Sequence, residues 1–130
     1  MSIAAIIVAA GRGERAGGAV PKQRRMLGTR PVFKWSLEAF ASHPGIDECI
    51  LVVPDGEIEN YRAYCPANIQ IVAGGETRTA SVLAGLAACS ARTKSVLIHD
   101  AARPGLTADT ISRLIDALKT SDAAAPALKV

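Results

Sequence analysis

The chain has 130 residues, 15 basic and 12 acidic side chains, a formal net charge of +3 and a hydrophobic fraction of 49%. That length and composition fit a single globular domain and exclude an intrinsically disordered chain. The apolar run at residues 3–11 is too short for a membrane span, which takes about 20 residues, and the first charged residue, Arg12, follows that run rather than preceding it, so no signal-peptide n-region is expected. The expectation is a soluble, cytoplasmic protein.

In chain order, Ile3–Val8 is a continuous apolar run, the pattern of a strand covered on both faces. A glycine-rich, basic segment follows up to Arg30. Residues Pro31–Ser42 read as a helix, with Phe33, Leu37 and Phe40 on one face. Cys49–Val53 is a second strand, closed by Pro54-Asp55-Gly56, and Ile69–Ala73 a third, closed by Gly74-Gly75. Thr77–Ala91 is a predicted helix whose apolar face is read as Val82, Leu83, Leu86 and Ala87. Ser95–His99 is a fourth strand. Thr107 caps a predicted helix from Ala108 to Thr120, with Ile111, Leu114, Ile115 and Leu118 inward. Ala123–Val130 reads as the start of a fifth strand. Strands alternating with helices predict an α/β fold with a mainly parallel sheet and helices on both faces. The whole of 1–130 is read as the front portion of a longer domain.

The charge is local. Arg12, Arg15, Lys22, Arg24, Arg25 and Arg30 cluster with Glu14 as the lone acid among them, which suits an anionic small molecule. Aromatics make up 4% of the chain and form no basic–aromatic stripe, so nucleic acid is not expected. The three cysteines, Cys49, Cys65 and Cys89, are widely spaced and read as free thiols, not as zinc ligands or disulfides. His43 reads as a helix-end residue and His99 as a packing or hydrogen-bonding residue.

In open α/β sheets ligands sit at the carboxyl ends of the strands, and three such loops carry chemistry. After the first strand comes Ala9-Ala10-Gly11-Arg12-Gly13-Glu14-Arg15, continuing to Pro21-Lys22-Gln23. Its glycines let backbone N–H groups approach a phosphate, and Arg15 and Lys22 add positive charge. The G-x-G-x-x-A match from Gly11 to Ala16 is accidental: Gly17-Gly18 and Pro21 disrupt the required helix, and no acidic ribose partner follows. Gly74-Gly75-Glu76-Thr77-Arg78 opens the next helix, where a base-edge reader with Ser81 competes with a plain turn and N-cap. His99-Asp100-Ala101-Ala102-Arg103-Pro104 follows the fourth strand, where Asp100 either holds a divalent metal beside a polyphosphate or pairs with an arginine to shape the loop.

Taken together, Ala9-Ala10-Gly11-x-Gly13-x-Arg15, Pro21-Lys22-Gln23, Gly74-Gly75-Glu76-x-Arg78-x-x-Ser81-Val82 and His99–Pro104 resemble the 2-C-methyl-D-erythritol 4-phosphate cytidylyltransferases, over essentially the whole chain. The wording is also similar to the cytidylyltransferase half of bifunctional enzymes fused to a cyclodiphosphate synthase. The resemblance implies a Rossmann-like nucleotidyltransferase fold, three-layer α/β/α, and a reaction of CTP with the polyol phosphate that releases pyrophosphate. It implies Arg15 and Lys22 as catalytic, with Ala9, Ala10, Gly11, Gly13, Gly75, Glu76, Ser81, Asp100, Ala101 and Arg103 binding CTP. It further implies Mg²⁺ held by Asp100, no nucleic-acid or membrane partner, and a homodimer for the full-length enzymes.

The sequence departs from the family pattern at Glu76, where Asp is common, and at Arg24, where Tyr usually follows Pro-Lys-Gln. It also stops before the part that supplies the family's dimer arm and acceptor-binding residues, so the isolated chain is expected to turn over weakly or not at all. The alternatives are a ribitol- or other polyol-phosphate cytidylyltransferase, and a truncated nucleotide-binding module without turnover. A nicotinamide oxidoreductase is more distant.

Overall fold

The computed structural model describes residues 2–11 and 22–129. Its strands are β1 (Ile3–Val8), β2 (Met26–Leu27), β3 (Arg30–Pro31), β4 (Glu48–Val53), β5 (Gln70–Ala73) and β6 (Ser95–Asp100). Its helices are α1 (Val32–Ala41), α2 (Ile58–Arg62), α3 (Arg78–Ala88) and α4 (Ala108–Leu118), with a 3-10 turn at Lys22–Arg24.

The main sheet has four strands in the order β5-β4-β1-β6, and every neighbouring pair is parallel. β1 is central: Ile6 stands beside Ile50 on one side and Ile98 on the other, and Val8 stands between Val52 and Asp100. A strand paired on both edges and covered on both faces has no solvent-facing side, which is why β1 and β4 are almost wholly apolar. β6 lies at the edge, and its Ile98 remains 42% exposed.

Alternation along the strands feeds two cores. Ile3, Ala5 and Ile7 of β1, with Leu51, Val53 and Leu97, pack against Phe33, Leu37 and Phe40 of α1, Tyr61 of α2 and Ile111 of α4. Ile6, Ile50 and Val52 face the opposite way, toward α3, where Ala88 and Cys89 pack on them. Helices therefore cover both faces, as the alternating pattern predicts. Thr77 and Thr107 cap α3 and α4, each accepting a hydrogen bond from the backbone N–H three residues on, at Ala80 and Thr110.

Four sequence expectations need correction. Residues 123–129 form no strand and are exposed throughout; they join neither edge of the sheet, and Pro126 has no N–H to give to a ladder. The helix begun at Thr77 ends at Ala88 rather than Ala91, because Cys89 turns to an extended conformation. The face of α3 is also different: Ser81 and Gly85 are buried, while Leu83 is 59% and Leu86 39% exposed. Finally, α2 and the antiparallel pair β2–β3 lie where no element was assigned. The pair is anchored from α1: Trp35 Nε1 donates to Leu27 O at 2.9 Å, and Arg30 stacks on Trp35 and pairs with Glu38.

Small residues let α3 lie close to the sheet. A Cβ at Gly85 would sit 2.6 Å from Ile6 Cγ2 and 3.1 Å from Val52 Cγ2, both on buried, β-branched side chains. Gly85→Ala is therefore expected to destabilise by about 1–3 kcal/mol through overpacking, despite the gain of about 1 kcal/mol in helix propensity. Gly105→Ala, where an added Cβ meets nothing within 4 Å, serves as control in denaturant unfolding. Equal midpoints for the two variants would contradict this packing.

Candidate active site

The parallel register brings the carboxyl ends of β1, β4, β5 and β6 to one edge of the sheet. Three backbone hydrogen bonds continue the pairing past the strand ends: Ala9 N to Val52 O at 2.7 Å, Gly74 N to Val53 O at 2.7 Å and Ala101 N to Val8 O at 2.9 Å. The loop starts of the three motifs are thereby fixed side by side, at the point where the strand order reverses about β1.

In the first loop Ala9 is buried, Ala10 half-buried and Gly11 exposed. Gly13 and Arg15 lie outside the described residues. Lys22 opens the 3-10 turn, and Gln23 beside it is 4% exposed. Gln23 Nε2 donates to Ala9 O at 2.7 Å and to Gly11 O at 2.6 Å, and lies 3.2 Å from Tyr61 Oη. Arg24, in the place of the usual Tyr, spreads its guanidinium 5.6 Å from the centre of the Tyr61 ring and pairs with Glu57 at 3.6 Å. The added charge is thus accommodated by a carboxylate and an aromatic face of α2 and its approach.

The second loop packs directly on the first. A Cβ at Gly74 would lie 2.6 Å from both Ala10 Cβ and Ser81 Oγ, so glycine is what allows this contact. Gly75 and Glu76 are exposed. Ser81 is 1% exposed; its Oγ accepts from Gly75 N at 3.2 Å and lies 3.4 Å from Gly75 O. Its hydroxyl holds the Gly75 backbone from behind, whereas Gly75 and Glu76 present the outer surface of this loop.

The third loop is organised by Asp100. Arg78 Nε and Nη2 donate to Asp100 Oδ1 at 3.3 and 3.2 Å, and Arg103 Nε lies 3.6 Å from Oδ2. Asp100 thus makes the arginine pairing, one of its two sequence readings, and it stands half-exposed at the end of β6. Ala101 is fully buried and Arg103 exposed. Behind the loop, Ser36 Oγ donates to Arg103 O at 2.9 Å, and His99 Nε2 lies 2.9 Å from the same oxygen. His99 also sets its ring edge-on to Phe40, with centroids 5.7 Å apart. It is a packing and hydrogen-bonding residue, as expected from sequence. His43, at the end of α1, bonds Ser112 Oγ at 2.8 Å.

Among the described residues no group of three or more His, Cys, Asp and Glu gathers around a point. Asp100 offers a hard oxygen donor group at the end of β6. That set fits an ion such as Mg²⁺, which takes one or two carboxylates and completes its shell from substrate phosphates and water. The cysteines are free, as expected.

Three residues that shape the site carry no role in the sequence reading. Arg78 stands in the quoted glycine motif without an assigned partner, Gln23 closes the Pro-Lys-Gln triplet, and Tyr61 lies on a helix the pattern did not disclose. Burial pushes the Tyr61 hydroxyl up from 10.0 to about 12, and burial beside Glu48 pushes the Cys49 thiol up from 9.0 to about 11. Both groups hold their proton more tightly in the folded chain than in the unfolded one. Their contribution to stability is present below their unfolded values and is lost as pH rises through the folded ones. Tyr61→Phe is therefore expected to flatten the fall in melting temperature between pH 10 and 12 relative to wild type. An unchanged slope would contradict the burial assigned to this hydroxyl.

The model of the family described as 2-C-methyl-D-erythritol 4-phosphate cytidylyltransferase matches residues 3–130. A curated relative of that name from Roseobacter denitrificans is 45% identical over 130 residues, which is all of this chain and 59% of the relative. A bifunctional enzyme IspD/IspF from Rhizorhabdus wittichii is 50% identical over 132 residues, covering 99% of this chain and 34% of that protein. The crystal structure of 4-diphosphocytidyl-2C-methyl-D-erythritol synthase from Anaerococcus prevotii superposes with a TM-score of 0.77 at 32% identity, over 92% of this chain and 52% of that one. The chain thus spans little more than half the length of the monofunctional relative. With a family match over nearly all of its residues and the same fold, it belongs to the 2-C-methyl-D-erythritol 4-phosphate cytidylyltransferase family.

Proposed function

We propose that this chain supplies the nucleotide-binding half of a cytidylyl transfer from CTP to 2-C-methyl-D-erythritol 4-phosphate, with release of pyrophosphate. The observation that carries the reading is the convergence of all three family loops on one sheet edge, fixed by Ala9, Gly74 and Ala101.

In this reading the phosphate oxygen of the acceptor attacks the α-phosphorus of CTP. A new P–O bond forms, the bond to the β-phosphate oxygen breaks, and the electron pair leaves with pyrophosphate. No covalent enzyme intermediate is needed. The backbone of Ala9, Ala10, Gly11 and Gly13 lines the nucleotide. Arg15 and Lys22 stabilise charge that develops at the α-phosphate, an electrostatic contribution of about 10²–10³ in rate for a single such group. Gly75 and Glu76 face the cytosine, and Ser81 fixes Gly75 for that contact. Ala101 lies near the ribose, and Arg103 supports the loop.

Asp100 would hold Mg²⁺, which neutralises charge on the phosphates and on the leaving group when bound. Arg78 and Arg103 orient the Asp100 carboxylate for that role. Cytoplasmic location and a homodimer for the longer enzymes belong to the same reading. Among the described residues, no helix is long and apolar enough to cross a membrane.

Pyrophosphate release tests the proposal. It is measured with CTP, Mg²⁺ and each of 2-C-methyl-D-erythritol 4-phosphate and ribitol phosphate. The enzyme is this chain, and this chain completed with the C-terminal part of the Roseobacter denitrificans relative. The completed form is expected to use the methylerythritol phosphate, and Lys22→Ala or Arg15→Ala to lower kcat by about 10²–10³. The 130-residue chain alone is expected to release little or none. Preference for ribitol phosphate, or full turnover in the Lys22→Ala variant, would overturn the proposal.

A further inference from the structure

Gln23 is a polar side chain at 4% exposure, and its amide nitrogen has two carbonyl partners, Ala9 O and Gly11 O, at 2.7 and 2.6 Å. An amide NH₂ carries two donor hydrogens, so the pair of carbonyls uses both of them. The two carbonyls belong to the end of β1 and the start of the loop after it, while Gln23 belongs to the far end of that loop, 12 residues beyond Gly11. One side chain therefore closes the loop across its base. Tyr61 Oη, 3.2 Å from the same nitrogen, backs the amide from α2.

The peptide geometry gives this closure a consequence for binding. In a trans peptide the C=O and the following N–H point in opposite directions, and the described residues contain no cis bond. Drawing the Ala9 carbonyl to the buried Gln23 turns the Ala10 N–H the opposite way, and Gly11 beside it is exposed. The same contacts tie the 3-10 turn that Lys22 opens to the end of β1.

We propose that Gln23 is a positioning residue of this site: its amide bonds to Ala9 and Gly11 set the backbone at residues 9–11, and the start of the 3-10 turn, for a nucleoside triphosphate. The inference rests on the nucleotide-binding reading above and adds to it a residue that does not itself touch the nucleotide. The amide is specific. A carboxylate at this position would face two carbonyl oxygens with no hydrogen to donate, so Gln23→Glu harms the loop more than simple truncation does.

The test uses the 130-residue chain as wild type, Gln23→Ala and Gln23→Glu, with two readouts. Amide hydrogen exchange without nucleotide follows the Ala9 N–H, bonded to Val52 O at the loop base, against the Ile6 N–H in mid-strand. Calorimetry follows binding of CTP with Mg²⁺. The expected result is exchange at least about tenfold faster at Ala9 and unchanged at Ile6. CTP affinity is expected to fall at least about tenfold in Gln23→Ala and further in Gln23→Glu. A general structural role would instead accelerate Ala9 and Ile6 together. Unchanged exchange at Ala9 and CTP affinity within about twofold of wild type in Gln23→Ala would overturn the inference. If wild type binds no CTP, the nucleotide reading fails, and the exchange at Ala9 still decides whether Gln23 closes the loop. If Gln23→Glu does not fold, the alanine variant decides.

Discussion

The parallel pairing of β1 with β4 on one side and β6 on the other is the constraint on which the site depends. That register sets Val8 between Val52 and Asp100, so the residues that leave the strands do so at one level. Parallel strands need crossover connections, and here those run over both faces, which puts α1 and α4 on one side and α3 on the other. The strand order reverses between β1 and β6, the place at which open α/β sheets take their ligands. Fold and candidate site are thus consequences of the same apolar strand, Ile3–Val8.

Within that frame the polar groups at the edge act in two tiers. Gly75, Glu76, Arg78, Asp100 and Arg103 stand at the surface, where ion pairs contribute little to stability and chiefly fix orientation. Behind them lie side chains that are buried and hydrogen-bonded: Gln23 under the first loop, Ser81 under the second and Ser36 under the third. Each donates to or accepts from loop backbone. Buried polar groups are costly unless paired, and pairing them with loop backbone converts that cost into a fixed loop shape. Arg24 fits the same scheme. It adds charge where the family usually has an aromatic ring, and Glu57 with the Tyr61 face accommodates it.

How much of this the sequence disclosed follows from which signals are local. The strands were legible because unbroken apolar runs such as Cys49–Val53 have few other uses, and α1 and α4 because Phe33, Leu37, Phe40 and Ile111 keep a helical period. The three loops were legible as motifs. The face of α3 was not: Ser81, Gly85 and Ala88 also keep a helical period, but small residues carry little hydrophobic signal, and Leu83 and Leu86 drew the assignment to the opposite side. Close approach to Ile6, rather than apolar burial, decides that helix. The partners of Gln23 and Arg78 were illegible for a different reason, since Tyr61 and Asp100 lie far from them in sequence and only the sheet register brings them together. The five-residue α2 is too short to show a period at all.

Titration of the purified 130-residue chain with CTP in the presence of Mg²⁺, with ATP and GTP as controls, tests the central claim most directly. We expect saturable, Mg²⁺-dependent binding of CTP at one site per chain, with ATP and GTP bound far more weakly. A folded chain that binds all three nucleotides alike would contradict the account.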